Sequence, residues 1–484
     1  MRSMSTPEAA AAPPRAGTLA TTLEDNGLLV VALSAFTIVL LVALRRGLGG
    51  DGWLALESGR WIVQHGLPSH DPLTVWSHGR RWTDQQWLAQ LGLYGLWRLG
   101  GIKLAMLVHA GLVTGALAGA AVIARRNGAT AHSVTWVAIP AVLAYYPVAS
   151  VMRTQSFAFP LFTATLWLLL ADARRPSNRV FATLPLLVFW ANLHGSVLLG
   201  AELVSLAGAL TIVRQRRISG RGVVLLLAPW ACVLASPYAI HLPAYYEKVM
   251  IGGDFKQLVT EWAPTTLSLV TAPVFVLVLG GLWLLGKTGR VLPLFDQLAF
   301  IAIAVISFQA VRNIAWIALV ALAVLPPLVD RLRGQVDEPR RLNRMLALIL
   351  LGSVVVAVGW VAARPTSWFT NSFPASAARA TSSAAGTKGR VFATTGYADW
   401  VLWSDPGLVG RVAFDARFEL LSRAQLVRIA RVEDSAGDWH RALRGFRVFV
   451  LGRHADRTLE RAIVRTLPVR VAFSSPQIVV LRRG

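Results

Sequence analysis

Long apolar blocks separated by short polar breaks dominate the pattern along this chain. The run from Gly27 to Leu44 carries no charge over eighteen residues. At a helical rise of ~1.5 Å per residue it reaches roughly 27 Å, close to the thickness of a bilayer hydrocarbon core. The same reading, applied throughout, predicts about eleven membrane-crossing helices, at 27–44, 103–124, 134–150, 157–171, 180–193, 195–213, 222–236, 265–286, 292–308, 313–330 and 345–363. The blocks 157–171 and 180–193 are short for a span and hold Pro160 and Pro185. Because Asn192, His194 and Gly195 interrupt the apolar run, 180–213 reads either as two spans or as a re-entrant pair.

Two regions depart from this pattern. Between 45 and 102, Trp53, Leu54, Leu56, Trp61, Ile62 and Val63 alternate with Glu57, Arg60 and Gln64 at helical spacing, which predicts an amphipathic helix on the membrane surface. A second such stretch runs from Trp82 to Trp97, after Pro68 and Pro72. From about Arg364, short β-branched runs (Arg390 to Phe392, Gly410 to Phe414, Phe446 to Leu451, Val469 to Phe473, Ile478 to Leu481) alternate with helical stretches, the periodicity of a small α/β domain. Ala375 to Lys388 reads as a flexible approach to it. The expected division is a cytoplasmic tail at 1–26, a helical membrane domain at 27–363 with a long first external loop at 45–102, and a soluble domain at 364–484.

Composition agrees: 55% of residues are hydrophobic and 15% charged, where a soluble chain carries about a quarter. The formal net charge of +23 raises the question of nucleic acid, and the positions of the basic residues answer it. Sixteen Lys and Arg fall in Arg125-Arg126, Arg174 to Arg179, Arg214 to Arg221, Lys287 to Arg290 and Arg331 to Arg344, which are alternate connections, as the positive-inside rule requires. The N-terminus is therefore expected in the cytoplasm and the C-terminal domain outside the plasma (inner) membrane. That domain, with nineteen basic against nine acidic residues, suits an anionic neighbour such as lipid headgroups or cell-wall polymer. The eighteen tryptophans read as interfacial belts. Cys232 is the single cysteine, so neither an internal disulfide nor a cysteine metal site can form. No phosphate-binding Gly-rich run occurs, which argues against nucleotide chemistry.

Ionisable groups at the external ends of spans are the first candidates for chemistry, because charge at membrane depth costs roughly 2.5–3.5 kcal/mol. They are Asp51 after the first span, His65, His70, Asp71 and Asp84 in the same loop, Arg153, His194, Lys248, Glu261 and Arg312. The stretch from Asp51-Gly-Trp-Leu through His70-Asp-Pro-Leu-Thr to Trp82-Thr-Asp-Gln-Gln-Trp-Leu resembles the first external loop of bacterial GT-C glycosyltransferases. Trp190-Ala-Asn-Leu-His-Gly-Ser, Ser236-Pro-Tyr, Thr260-Glu-Trp-Ala-Pro, Val311-Arg-Asn, Arg390-Val-Phe-Ala and Phe414-Asp-Ala-Arg-Phe-Glu-Leu extend the resemblance over most of the chain. It is similar to a substrate-unassigned branch of the protein mannosyltransferase and aminoarabinose transferase superfamily. The resemblance implies a multi-pass α-helical enzyme that moves a hexosyl or pentosyl unit, with inversion, from a polyprenyl-phosphate donor to an envelope glycan, lipid or protein on the outer face.

It also implies Asp51 as catalytic base, with Arg153, Arg312 and His194 against the lipid phosphate, and Asp71, Asp84, Glu261 and Lys248 as further substrate-binding residues. Several GT-C families carry two adjacent acids where this chain has Asp51-Gly52, so a divalent metal (Mg or Mn) would need a second carboxylate from Asp71, Asp84 or Glu57. Each role has a structural competitor. Asp51 suits the N-cap of a helix starting at Trp53, Arg153 and Arg312 suit snorkelling span ends, His194 suits a helix turn satisfied by backbone, and Asp71 before Pro72 suits a turn. A transporter or lipid flippase is the alternative class; it would place its ionisable groups near the midplane.

Overall fold

The structure, a computed structural model, describes residues 19–257, 259–334 and 340–484. Residues 1–18 of the expected tail and part of the basic 331–344 connection lie outside the described residues. The helices are α1 (Leu19–Ala43), α2 (Gly50–His65), α3 (Trp87–Arg126), α4 (Ala131–Ala149), α5 (Ala158–Arg174), α6 (Thr183–Ala191), α7 (Val197–Gln215), α8 (Gly220–Val233), α9 (Leu242–Glu247), α10 (Ala272–Thr288), α11 (Leu294–Gln309), α12 (Ile314–Val324), α13 (Pro326–Arg333) and α14 (Arg340–Ala363). The C-terminal region adds α15 (Thr366–Phe369), α16 (Ala375–Ala385), β1 (Arg390–Ala393), α17 (Ala398–Ser404), α18 (Arg423–Glu433), α19 (Trp439–Ala442), β2 (Phe446–Gly452), α20 (Arg457–Thr466), β3 (Val469–Ser474) and β4 (Ile478–Arg483).

Each of the eleven apolar blocks holds a helix, and the chain is an α-helical integral membrane protein. Among the described residues, 6 helices are long and apolar enough to cross a membrane, and the pair α12–α13, bent by 47°, makes a seventh. The segments Asn178–Ala191, Gly220–Val233 and Leu294–Gln309 are shorter apolar helices. Length and apolarity alone therefore qualify fewer segments than the eleven crossings expected. All of α12 is buried, as befits a helix apolar on every face. Its Trp316 packs against Phe159, Phe162 and Trp190 at the centre of the bundle.

Successive connections fall at two opposite ends of the bundle. One end is basic and tied by ion pairs: Arg174 to Asp296 at 2.7 Å, Arg221 to Asp172 at 2.5 Å, and Arg344 to Glu24 at 2.8 Å. There Asp330 accepts hydrogen bonds from Thr130 and Ser133. The other end carries a large cavity.

Much of the first loop is covered by protein. α2 is buried along most of its length between α3 and α17, and its Glu57, expected on a wet face, is paired with Arg60. Arg60 in turn donates to the carbonyls of Leu402 and Trp403 and stands 4.6 Å above the Trp403 ring. The second amphipathic stretch opens α3, a 40-residue helix that would reach roughly 60 Å if straight, twice the hydrocarbon thickness. It breaks at Gly100 and Gly101, where Gly101 has φ +65° and ψ −167°, a conformation only glycine adopts readily. The part before the break packs on α2 and the part after it enters the bundle.

The soluble domain is a four-stranded sheet in the order β1-β2-β4-β3, with β1 and β2 parallel and the other pairs antiparallel. Residues 410–413, expected as a strand, make only an isolated parallel bridge to β1 at Val391, and they take a second partner from the first loop. Val75 N–H donates to Val412 O (2.8 Å), Trp76 N–H to Ala413 O (3.0 Å) and Gly410 N–H to Leu73 O (2.7 Å). Trp76 then enters the domain core, stacked on Phe414 and edge-on to Phe446. Ala375 to Lys388 is no flexible linker: its alanines, strong helix formers, build α16, which packs on β2, β3 and β4. The tryptophans are likewise only partly a belt, since Trp53, Trp82, Trp190 and Trp316 are buried.

The α2–α3 contact depends on Gly59, where a Cβ would sit 2.4 Å from Gln90 O and 2.6 Å from Tyr94 Cβ. Gly59→Leu is expected to cost about 1–3 kcal/mol and to lower the thermal midpoint of the detergent-solubilised protein. Gly95→Leu, on the same contact helix but with open space where a Cβ would sit, should leave it near wild type.

Candidate active site

A cavity of about 740 Å³ opens between the bundle and the soluble domain, and the ends of widely separated elements converge on it. Asp51 lies in the first turn of α2. The N-cap position belongs to Gly49, so the capping competitor for Asp51 does not hold. Its carboxylate is about half exposed, at 47%, and stands 3.3 Å from Arg153 Nε. Gly52, the next residue, is tightly seated: a Cβ there would sit 3.1 Å from Met152 O and from Leu48 Cδ1.

Arg153 follows α4 in extended conformation and forms a two-pronged pair with Glu261, one arm at 2.7 Å. Burial by itself would push the Glu261 carboxyl up; the hydrogen bonds and charge of Arg153 and the charge of Arg312 outweigh it and hold the group below the usual carboxylate range. Arg312, in the short turn between α11 and α12, makes no hydrogen bond or ion pair with the described residues. Its guanidinium lies 4.4 Å over the Trp262 ring, a ring that also faces Lys256. Neither arginine is a span end reaching out to water. Cations already held by aromatic faces and fixed carboxylates, beside a cavity, can receive a further anion without reorganising.

His194 lies in the turn between α6 and α7, where its Nδ1 meets Ser196 N–H at 3.1 Å and Ser196 Oγ at 2.8 Å. The backbone therefore satisfies one ring nitrogen, while the ring lines the cavity. Burial, with the charges of Arg312 and Arg153, pushes its pKa down to about 3, so the imidazole is neutral at any physiological pH.

Asp84 also lines the cavity. Gln90 donates to its Oδ1 at 2.9 Å, and burial pushes it up to about 7 against the pull of Arg417. Asp71 and Lys248 are not in the lining. Asp71 accepts from Leu73 N–H, Thr74 and Ser77 as a turn residue and pairs with Arg417 at 2.6 Å. Lys248 is exposed and stands near Glu419. Glu57, the third candidate for a second carboxylate, is committed to Arg60 beneath the soluble domain.

The pattern of charges at span ends missed what the soluble domain brings. Asp399, from α17, is buried in the cavity wall; its Oδ1 accepts from Ala416 N–H at 3.1 Å and its Oδ2 lies against Gly50, where a Cβ would be 2.7 Å away. Burial and the neighbouring Asp415 raise its carboxyl well above the usual range. Arg417 and Glu419 line the same wall. Arg417 is buried, bonded to both Asp71 and Asp415, and packed 4.0 Å over the Trp82 ring. The run Phe414-Asp-Ala-Arg-Phe-Glu-Leu held the signal, charges at every second position between aromatics, one edge to core and one to site. No group of three metal-ligating side chains converges among the described residues. With Asp51 engaged by Arg153, the donor set does not fit a resident divalent cation.

No family model matches the chain, and no curated protein matches it. Among solved structures, the crystal structure of ArnT from Cupriavidus metallidurans bound to undecaprenyl phosphate superposes with a TM-score of 0.53 at 14% identity, over 94% of this chain and 97% of ArnT. ArnT in the apo state gives 0.51 at 15% identity over the same shares. The archaeal oligosaccharyltransferase AglB from Archaeoglobus fulgidus is less similar, at 10% identity and a TM-score of 0.48. This chain thus has the fold of ArnT, a GT-C fold in which helical bundle and soluble domain both have counterparts.

A buried neutral histidine binds fewer protons when folded than when unfolded. Its contribution to stability is complete above the unfolded pKa of about 6.5 and is lost as pH falls from there toward about 3. Thermal unfolding in detergent should therefore show a smaller loss between pH 7 and pH 4 for His194→Gln than for wild type.

Proposed function

We propose that this protein is an inverting membrane glycosyltransferase that moves a sugar from a polyprenyl-phosphate donor to an envelope acceptor at the outer face of the plasma membrane. The observation that carries the proposal is the Asp51 carboxylate, accessible at the cavity, 3.3 Å from Arg153, with Arg312 lining the same cavity and making no ion pair among the described residues. The fold adds support, since ArnT is a protein whose structure holds undecaprenyl phosphate. The basic connections lie at the end of the bundle away from the cavity, which by the positive-inside rule favours a cytoplasmic N-terminus and an external site.

In this reading the donor's phosphate meets Arg312 and, shared with Glu261, Arg153, while its lipid tail stays among the helices. Asp51 accepts the proton of the acceptor hydroxyl as that oxygen attacks the anomeric carbon. The bond from that carbon to the phosphate oxygen breaks on the opposite side, and polyprenyl phosphate leaves with its new negative charge facing Arg312. Neutral His194 contributes a dipole and no extra charge beside the two arginines. No metal is required by these steps. Asp51, Arg153, His194, Glu261 and Arg312 gather at the cavity end of the bundle rather than at the midplane, which favours this reading over a transporter or flippase.

Asp51→Asn should leave a folded, membrane-inserted protein with transfer of radiolabelled sugar from lipid-linked donors reduced by about 10²-fold or more. Wild-type transfer in that variant would overturn the assignment of the base. Arg312→Ala should weaken binding of polyprenyl phosphate by about tenfold or more, measured by native mass spectrometry, while leaving the Arg153–Glu261 pair in place.

A further inference from the structure

The sheet of the soluble domain separates two layers with unlike surroundings, because successive residues of a strand point to opposite faces. Val448, Val450, Ile478 and Val480 share one core with α16 and α17, and through α17 with α2 and the helical bundle. Phe449, Leu451, Val479 and Leu481 belong to a second core, closed by Leu459 and Ile463 of α20. The order of layers is therefore bundle, α2, α16 with α17, sheet, α20. Helix α20 stands on the far side of the sheet from the bundle and from any bilayer around it.

The outward face of α20 carries charge of one sign. Arg457, Arg461 and Arg465 follow one another a turn apart, opposite the buried Leu459 and Ile463, and all three are exposed. At ~6 Å per step they form a line about 12 Å long. None makes an ion pair or a side-chain hydrogen bond with the described residues. The acids of the same region are committed elsewhere: Glu460 to Arg453, and Asp456 to Thr394 and the Gly452 N–H. Beyond the C-terminal end of α20, Arg470 on β3 is the register partner of Arg482 on β4, and both are exposed. Like charges a helical turn apart, or directly across two strands, destabilise the domain by itself. An anion laid along them removes that repulsion.

The layer order decides between the two anionic neighbours that the domain's charge allowed. Lipid headgroups lie on the wrong side of the sheet, and a helix seated on them would set aromatic or leucine side chains beside its cations. On α20 the one large apolar side chain exposed is Val464. An array one charge wide and several long matches a linear chain that bears an anion on successive units, and guanidinium groups take carboxylate or phosphate through paired hydrogen bonds. We infer that the outward face of α20 is a docking strip for a linear anionic glycan of the envelope, one that carries carboxylate or phosphate along its length. The inference goes beyond the transfer reaction and shares with it only the external position of the domain.

The test uses the full chain in nanodiscs of uncharged phosphatidylcholine, with fluorescent polygalacturonate as probe and neutral dextran as its control, read by microscale thermophoresis. Polygalacturonate is expected to bind and dextran not. The triple variant Arg457→Gln/Arg461→Gln/Arg465→Gln, whose changes are all on the surface, should keep the wild-type melting profile and weaken polygalacturonate by about tenfold or more. Arg423→Gln/Arg441→Gln/Arg444→Gln removes the same charge from α18, α19 and the turn before β2, and should stay within about twofold of wild type. Equal weakening by the two triple variants would show that net charge and not α20 binds the polymer, and would overturn the inference. So would a failure of polygalacturonate to bind, or equal binding of dextran. Capture of phosphatidylglycerol vesicles through the α20 arginines without polygalacturonate would assign the face to a membrane instead.

Discussion

A buried guanidinium holds this molecule's site together. Removing a charge from water costs several kcal/mol unless partners replace the hydration it loses. Arg417 finds two carboxylates, Asp71 and Asp415, and the face of Trp82. Burial opposes ionisation of Asp71, yet Arg417 and the bonds from Ser77 and Leu73 N–H keep its carboxyl below the ordinary range. Asp71 and Asp415 come from opposite ends of the chain, so the arginine is satisfied only when the soluble domain is docked on the first loop. The backbone pairing of 73–76 with 410–413 and the insertion of Trp76 into the domain core act in the same direction. Loop and domain are in effect one piece, and the cavity is the gap between that piece and the helical bundle.

The remaining electrostatics follow from this docking. On the bundle side, Glu261 holds one arginine and leaves the other to an aromatic face, so positive charge is fixed without being neutralised. Burial, aided by the same two arginines, keeps His194 neutral. On the docked side, carboxyls are crowded around a single arginine whose charge is already spoken for. Asp51 sits on the seam, in the first turn of a helix clamped by α3 and α17. Its reach toward both walls is set by close packing at Gly50, Gly52 and Gly59, each of which allows a neighbour to come closer than a side chain would permit.

Much of the bundle was legible because a bilayer imposes one rule: backbone polar groups in hydrocarbon must be satisfied within a helix. Apolar blocks therefore read as helices wherever they occur, and alternate basic connections indicate sides. The same logic did not foresee the protein that covers the first loop. Alternation of Trp53, Leu56 and Trp61 with Glu57 and Arg60 is what a helix at an interface shows, but a helix packed on protein through Arg60 and Glu57 shows it too. Periodicity reports which residues shun water and does not say whether lipid or another domain covers them.

What the sequence determined alone was the helical membrane body, the small α/β domain, and Asp51, Arg153, His194, Glu261 and Arg312 as charged or polar groups at one end. These are properties of local hydropathy and of the cost of charge at depth, and they need no knowledge of partners. Only the tertiary structure decided that Asp399, Arg417 and Glu419 share the cavity with Asp51, that Asp71 supports the site from outside, and that Lys248 and Glu57 stand apart. The reason is physical: a buried polar group is defined by what it meets on folding, and contacts between residues more than three hundred positions apart leave no period in the chain.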